Sequence, residues 1–258
     1  MTEIAISGPA RLPLGIGSII GDTFSIFFRR FLAVTFIALI PNVIGILLSA
    51  WSVGLSAVVG MEKPDFSGID TIPYTISMIV DVAVYAVATA LLVQLAYDAK
   101  LQRPVRLGRY FGPAFSTALP VIVLSVAAML LSILALVFLV VPGLWVMAVF
   151  SVTVPAVVIE RVGFRGLGRS AELTKEYRWP IVVLALLSLL CQFAFGWGAQ
   201  YLAAILGTVS GMLPAAVFYA VVAAVGTGLT GLPAALIYAR LREIKEGVTV
   251  DQIAAVFD

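Results

Sequence analysis

Residues 110–159 read YFGPAFSTALPVIVLSVAAMLLSILALVFLVVPGLWVMAVFSVTVPAVVI, without one charged side chain. A bilayer core of about 30 Å is crossed by about 20 helical residues, so this stretch is two crossings rather than one. Pro142-Gly143 stands where a tight turn divides them, since proline stops a helix and glycine tolerates turn dihedrals. The predicted spans are 119–141 and 144–160, the second short and nearly upright.

The same reading extends in both directions. Downstream, Pro180 to Ala239 is again uncharged and two crossings long. It divides near Gly207, Ser210, Gly211 and Pro214 into spans 180–204 and 214–238. Upstream, spans 32–54 and 74–97 flank a loop carrying Glu62, Lys63, Asp65 and Asp70. The expectation is an all-α integral membrane protein, residues 1–258 forming one membrane domain with six transmembrane helices. A polar cytoplasmic tail, 240–258, follows; Thr249 and Gln252 fit a capping box opening a short helix there.

Composition agrees. Of 258 residues, 62% are hydrophobic and 12% charged, whereas soluble domains carry about 25% charge. The net charge of +2 gives no case for a nucleic-acid partner. Cys191 is the only cysteine, so no internal disulfide exists, and it reads as an apolar packing residue. Histidine is absent, which removes the commonest general base and metal ligand. No phosphate-binding loop, dinucleotide fingerprint or metal-ligand cluster is visible. We therefore expect no catalytic residue, no cofactor and no metal, and no enzymatic activity. Met1-Thr2-Glu3 opens without the charged region and short apolar core of a cleavable signal peptide.

Lysine and arginine placement orients the chain. With both termini cytoplasmic, every basic residue except Lys63 falls on the inner side. Aromatic residues suit the two interfaces, with Phe31, Tyr97, Trp179 and Tyr238 inside and Trp51, Trp145, Trp197 and Tyr201 outside.

Each pair of spans follows a segment suited to the inner membrane surface, over 15–29, 106–118 and 163–177. In the first, Ile16, Ile19, Ile20, Phe24, Phe27 and Phe28 recur at helical spacing, with Ser18, Asp22, Ser25 and Arg29 largely opposite. Gly108-Arg109 and Pro120 stand 60 residues before Gly168-Arg169 and Pro180. The pattern predicts three hairpins, each preceded by an amphipathic interfacial helix. In the third copy Arg165, Arg169, Lys175 and Arg178 are candidates for phospholipid headgroups.

Within the spans the residues that invite chemistry are few. Ser77, Asp81, Tyr85 and Thr89 are spaced by four and form a polar stripe on one helix face. A carboxylate in a span is costly and often functional. The stripe suits a cation, a proton relay or helix packing, and Asp81 lies either in the membrane or about one turn, roughly 5 Å, from its outer surface. Pro41-Asn42, Pro155 and Pro233 predict kinks. Gly226, Gly228 and Gly231, like the pair Gly207 and Gly211, offer small surfaces for close helix approach, within the chain or in a homo-oligomer.

One block resembles a known family. Val141-Pro142-Gly143-Leu144-Trp145 is followed by Val154-Pro155-Ala156-Val157-Val158-Ile159-Glu160. Then come Gly163, Leu167, Gly168-Arg169-Ser170-Ala171-Glu172-Leu173-Thr174 and Arg178-Trp179. This resembles the membrane domain attached to some bacterial glycerophosphoryl diester phosphodiesterases, and its stand-alone six-span relatives. The resemblance implies a bacterial inner-membrane protein in a family without a settled activity. It implies no phosphodiester cleavage, which belongs to a separate soluble domain. Two functions are then expected: a non-enzymatic protein organising membrane lipids or a protein partner, or a small transporter or channel using the Asp81 stripe.

Overall fold

The computed structural model describes residues 12–63, 71–100, 103 and 107–247. Among them the chain is helical, without strands: α1 (Ile16–Arg29), α2 (Phe31–Val53), α3 (Leu55–Val58), α4 (Thr71–Lys100), α5 (Leu107–Ser116), α6 (Ala118–Phe138), α7 (Val140–Phe150), α8 (Thr153–Glu160), α9 (Gly166–Thr174), α10 (Arg178–Ser210) and α11 (Met212–Glu246). Six stretches are long and apolar enough to cross a membrane: α2, 75–100 within α4, α6, 140–160 covering α7 and α8, α10 and α11. The number predicted from the charge-free runs is therefore met. Arg106, Thr249 and Gln252 lie outside the described residues.

Prolines mark where these helices begin, and one predicted turn is corrected accordingly. Pro142 is the third residue of α7, Pro214 of α11, Pro120 of α6 and Pro180 of α10. Backbone N–H groups in a helix's first turn have no intrahelical acceptor, so a proline there forfeits nothing. The turn falls upstream of the proline instead. The α6–α7 reversal is at Leu139, an extended residue (φ −165°, ψ 149°), and not at Pro142-Gly143. The α10–α11 reversal is at Gly211, whose φ of 90° suits glycine.

The same rule corrects the fourth span. Pro155 is not a mid-helix kink but the third residue of α8, and the span breaks at Ser151-Val152. The carbonyl of Val149, near the break, accepts the hydroxyls of Ser170 (2.7 Å) and Thr174 (3.3 Å). Both are fully buried. Here α9 stitches the interruption with side-chain hydroxyls, as membrane proteins do where helical backbone is lost.

Pro41 and Pro233 do lie inside their helices. The last helix also runs past its predicted span. Arg240 to Glu246 continue α11 as a charged extension that ends at the left-handed Gly247. The third surface segment stops at Thr174, short of 177, and Glu176 has a φ of 77°.

The membrane-crossing elements form a closed ring in the order α2, α4, α6, α7, α10, α11 and back to α2, with α11 also touching α4 across the middle. Gly226, Gly228 and Gly231 make this possible. A Cβ at each would stand 2.7 Å from Phe195, Val34 and Leu92 respectively. The small surface of α11 is thus spent inside the chain, against α10, α2 and α4. Trp145 corrects the interface assignment. Its ring packs edge-on against Trp179 at 5.3 Å, so the two share one level and not opposite surfaces. Charge-free runs count crossings but carry no depth, and the broken fourth span displaces Trp145 from the register of an upright helix.

Candidate functional site

A cavity of about 660 Å³ lies inside the ring and is lined from α2, α4, α6, α7, α8, α10 and α11. Its polar groups are Asn42, Ser49, Asp81, Tyr85, Thr89, Ser125, Ser151, Thr153, Gln192, Tyr219, Thr227 and Thr230. Asp81 is the one charged residue among them. Of the predicted stripe, the structure brings Asp81, Tyr85 and Thr89 to the cavity wall. Ser77 is buried outside the lining.

The wall is organised by hydrogen bonds between spans. Asn42 donates to the Ala38 carbonyl (2.8 Å) and to the Thr227 hydroxyl (3.1 Å), joining α2 to α11. The Thr230 hydroxyl lies 3.0 Å from both the Gln192 side-chain oxygen and the Gly226 carbonyl. Tyr85 reaches Thr230 from α4. Two of the remaining groups stand out. Asp81 rests over Gly45, where a Cβ would stand 2.9 Å from its Oδ1. Among the described residues its carboxylate has no hydrogen-bond or ion-pair partner. The Thr153 hydroxyl, at the break in the fourth span, is buried without a partner. Buried polar atoms in folded proteins are overwhelmingly paired.

Sequence reading missed Asn42, Gln192, Thr227 and Thr230. Their signal was available, since each is a hydrogen-bonding side chain inside an apolar run. Attention to Pro41 hid its neighbour Asn42, and no spacing rule connects residues on different spans.

A second polar constellation closes the basic end of the ring. Glu160, ending α8, accepts Nε of Arg169 at 3.0 and 2.7 Å and the Tyr238 hydroxyl at 2.6 Å. Arg169 also pairs with Glu246, which accepts Arg242 Nε at 2.7 Å. The two carboxylates and two guanidiniums balance, tying α8, α9 and α11 together. Burial weakens the hold of Arg169 on its proton, but Glu160 and Glu246 more than restore it and keep the group above the ordinary arginine range. The predicted headgroup residues are therefore split. Arg169 is engaged by two carboxylates, and Arg178 lies over the Trp145 ring at 5.3 Å. Arg165 and Lys175 remain exposed beside exposed Phe164 and Trp179. Nearby, α1 and the end of α4 enclose a polar cleft of about 350 Å³ holding Asp22, Arg29, Arg30 and Lys100.

Among the described residues no group of three or more Cys, Asp or Glu could hold a metal ion. Compared with known protein families, curated proteins and solved structures, the chain matches none. The fold and site define a six-span helical membrane protein with a polar cavity at its centre. Contacts of Glu160 with Arg169, of Ser170 and Thr174 with Val149, and of Trp145 with Arg178 and Trp179 link α7, α8, α9 and α10, and Tyr238 brings α11 to Glu160.

Proposed function

We propose that this chain is a small, non-enzymatic transporter of the bacterial inner membrane. In this reading the termini are cytoplasmic, the spans form three hairpins, and an interfacial helix precedes each. One observation carries it: an unpartnered carboxylate, Asp81, faces a cavity walled by every span. An ionised group in a bilayer is too costly to keep without a counter-charge or a water-filled path. Breaks in spans beside such a cavity are the usual architecture for solute sites in membrane proteins.

The test is solvent access. In a Cys191→Ser background, Ala128→Cys on the cavity wall should react with a membrane-impermeant thiol reagent. A cysteine at lipid-facing Leu190 should not. Equal silence at both positions would mean a dry, sealed cavity and would sink the transporter reading.

A second reading has its own support. Exposed Arg165 and Lys175 beside Phe164 and Trp179, with Arg29 and Arg30 in the cleft where Lys100 pairs with Asp22, suit an organiser of anionic lipids or of a protein partner at the cytoplasmic surface. Replacing Arg165 and Lys175 by Gln should then strip anionic lipid from the purified protein, seen by native mass spectrometry, and leave Ala128→Cys labelling unchanged.

A further inference from the structure

We infer that the central cavity takes an organic monocation, a protonated amine with an apolar body, held by Asp81; this rests on the reading of the cavity as a solute site. Charge comes first. Asp81 supplies a single negative charge, and no basic side chain lines the wall to neutralise it. A ligand that completes the site therefore brings one positive charge. A divalent ion would stay half-compensated in a low-dielectric interior.

Size and surface come next. A bare monovalent ion fills a small fraction of about 660 Å³, whereas cavities of 300–1,000 Å³ suit drug-sized organic molecules. Alkyl groups of the spans form much of the wall, which matches an apolar body. Tyr85 and Tyr219 add aromatic faces, the preferred neighbours of ammonium groups. Thr153, whose hydroxyl has no partner in the protein, belongs to the same wall.

The carboxylate is also placed for the task. Gly45 leaves room for Asp81 to lie against α2 without meeting a side chain. Its charge is thus presented to the cavity and not consumed by a neighbouring helix.

The experiment is equilibrium binding to the full-length protein in nanodiscs. The probes are primary amines from methylammonium to phenethylammonium, each paired with the alcohol of the same shape. The expected result is that longer amines bind and the matching alcohols bind about tenfold more weakly or not at all. Asp81→Asn should erase that preference and Asp81→Glu should retain it. Ala128→Phe, which adds bulk to the α6 wall and leaves residue 81 an aspartate, should weaken every probe, and it serves if Asp81→Asn fails to fold. Alcohols binding as well as amines in the wild type would overturn the cation assignment and leave the solute site standing. Amines preferred equally by wild type and Asp81→Asn would place the cation elsewhere and overturn it too. No binding of any probe, with Ala128→Cys unreactive, would overturn both this inference and the transporter reading.

Discussion

Arg169 illustrates how little a residue's type says about its use. Its charge and its place in an amphipathic segment suit a headgroup, yet its side chain is only 20% exposed and spans Glu160 and Glu246. Arginine fits because its planar fork serves two carboxylates, which the point charge of lysine does not. Arg169→Lys should therefore destabilise nearly as much as Arg169→Ala. We expect about 2 kcal/mol for either, below the 3–5 kcal/mol of a fully buried pair because water reaches this one. A thermal unfolding series in detergent checks it, and full tolerance of lysine would refute the bridging role. At Gly45 the expected effect is functional: Gly45→Ala pushes a methyl onto the Asp81 carboxylate. It should impair amine binding while the melting temperature stays within about 2 °C. A large loss of stability would mean that Gly45 serves packing instead.

Elements were legible from sequence to unequal degrees. The six apolar runs gave the spans, because span length is set by the bilayer. The turn at Gly211 falls within the predicted loop, whereas the one between α6 and α7 was misplaced by about three residues, at Pro142. Pro142 was read as a stop and Pro155 as a kink, whereas both stand third in a helix, as Pro120, Pro180 and Pro214 do. The central cavity was half legible, since helical spacing finds Asp81, Tyr85 and Thr89 on α4 but cannot find Asn42 or Thr230 on other helices. The break in the fourth span was not legible at all. It depends on Ser170 and Thr174, which are distant in sequence, reaching the Val149 carbonyl. Removing both hydroxyls, Ser170→Ala with Thr174→Val, should cost about 1–3 kcal/mol by leaving that carbonyl unpaired. Unfolding monitored by circular dichroism measures it, and an unchanged midpoint would show that another donor caps the break.

At the scale of the molecule, sidedness is the prediction that everything else leans on. Lysines and arginines gather at the end of the ring where Glu160, Arg169 and Arg242 meet, and Lys63 stands at the other. In a Cys191→Ser background, Lys63→Cys should label with an impermeant reagent on intact spheroplasts, and Lys245→Cys only after permeabilisation. The reverse pattern would place the basic end outside and overturn the cytoplasmic assignment of both termini.

The ring also joins helices of unlike length. α2 and α6 have 23 and 21 residues, while α10 and α11 have 33 and 35. At 1.5 Å per residue the first pair matches a hydrocarbon core of about 30 Å, whereas the apolar parts of the second, up to the charged ends at Arg178 and Arg240, exceed it by about 10–20 Å. Tilt or protrusion absorbs such an excess, at a cost that grows with every ångström of mismatch. Since α10 and α11 share walls of the cavity with α2 and α6, a change in tilt of the long pair alters the shape of the site. Acyl-chain length is then a control variable for this protein, and thick and thin bilayers should present the same ligand with two different cavities.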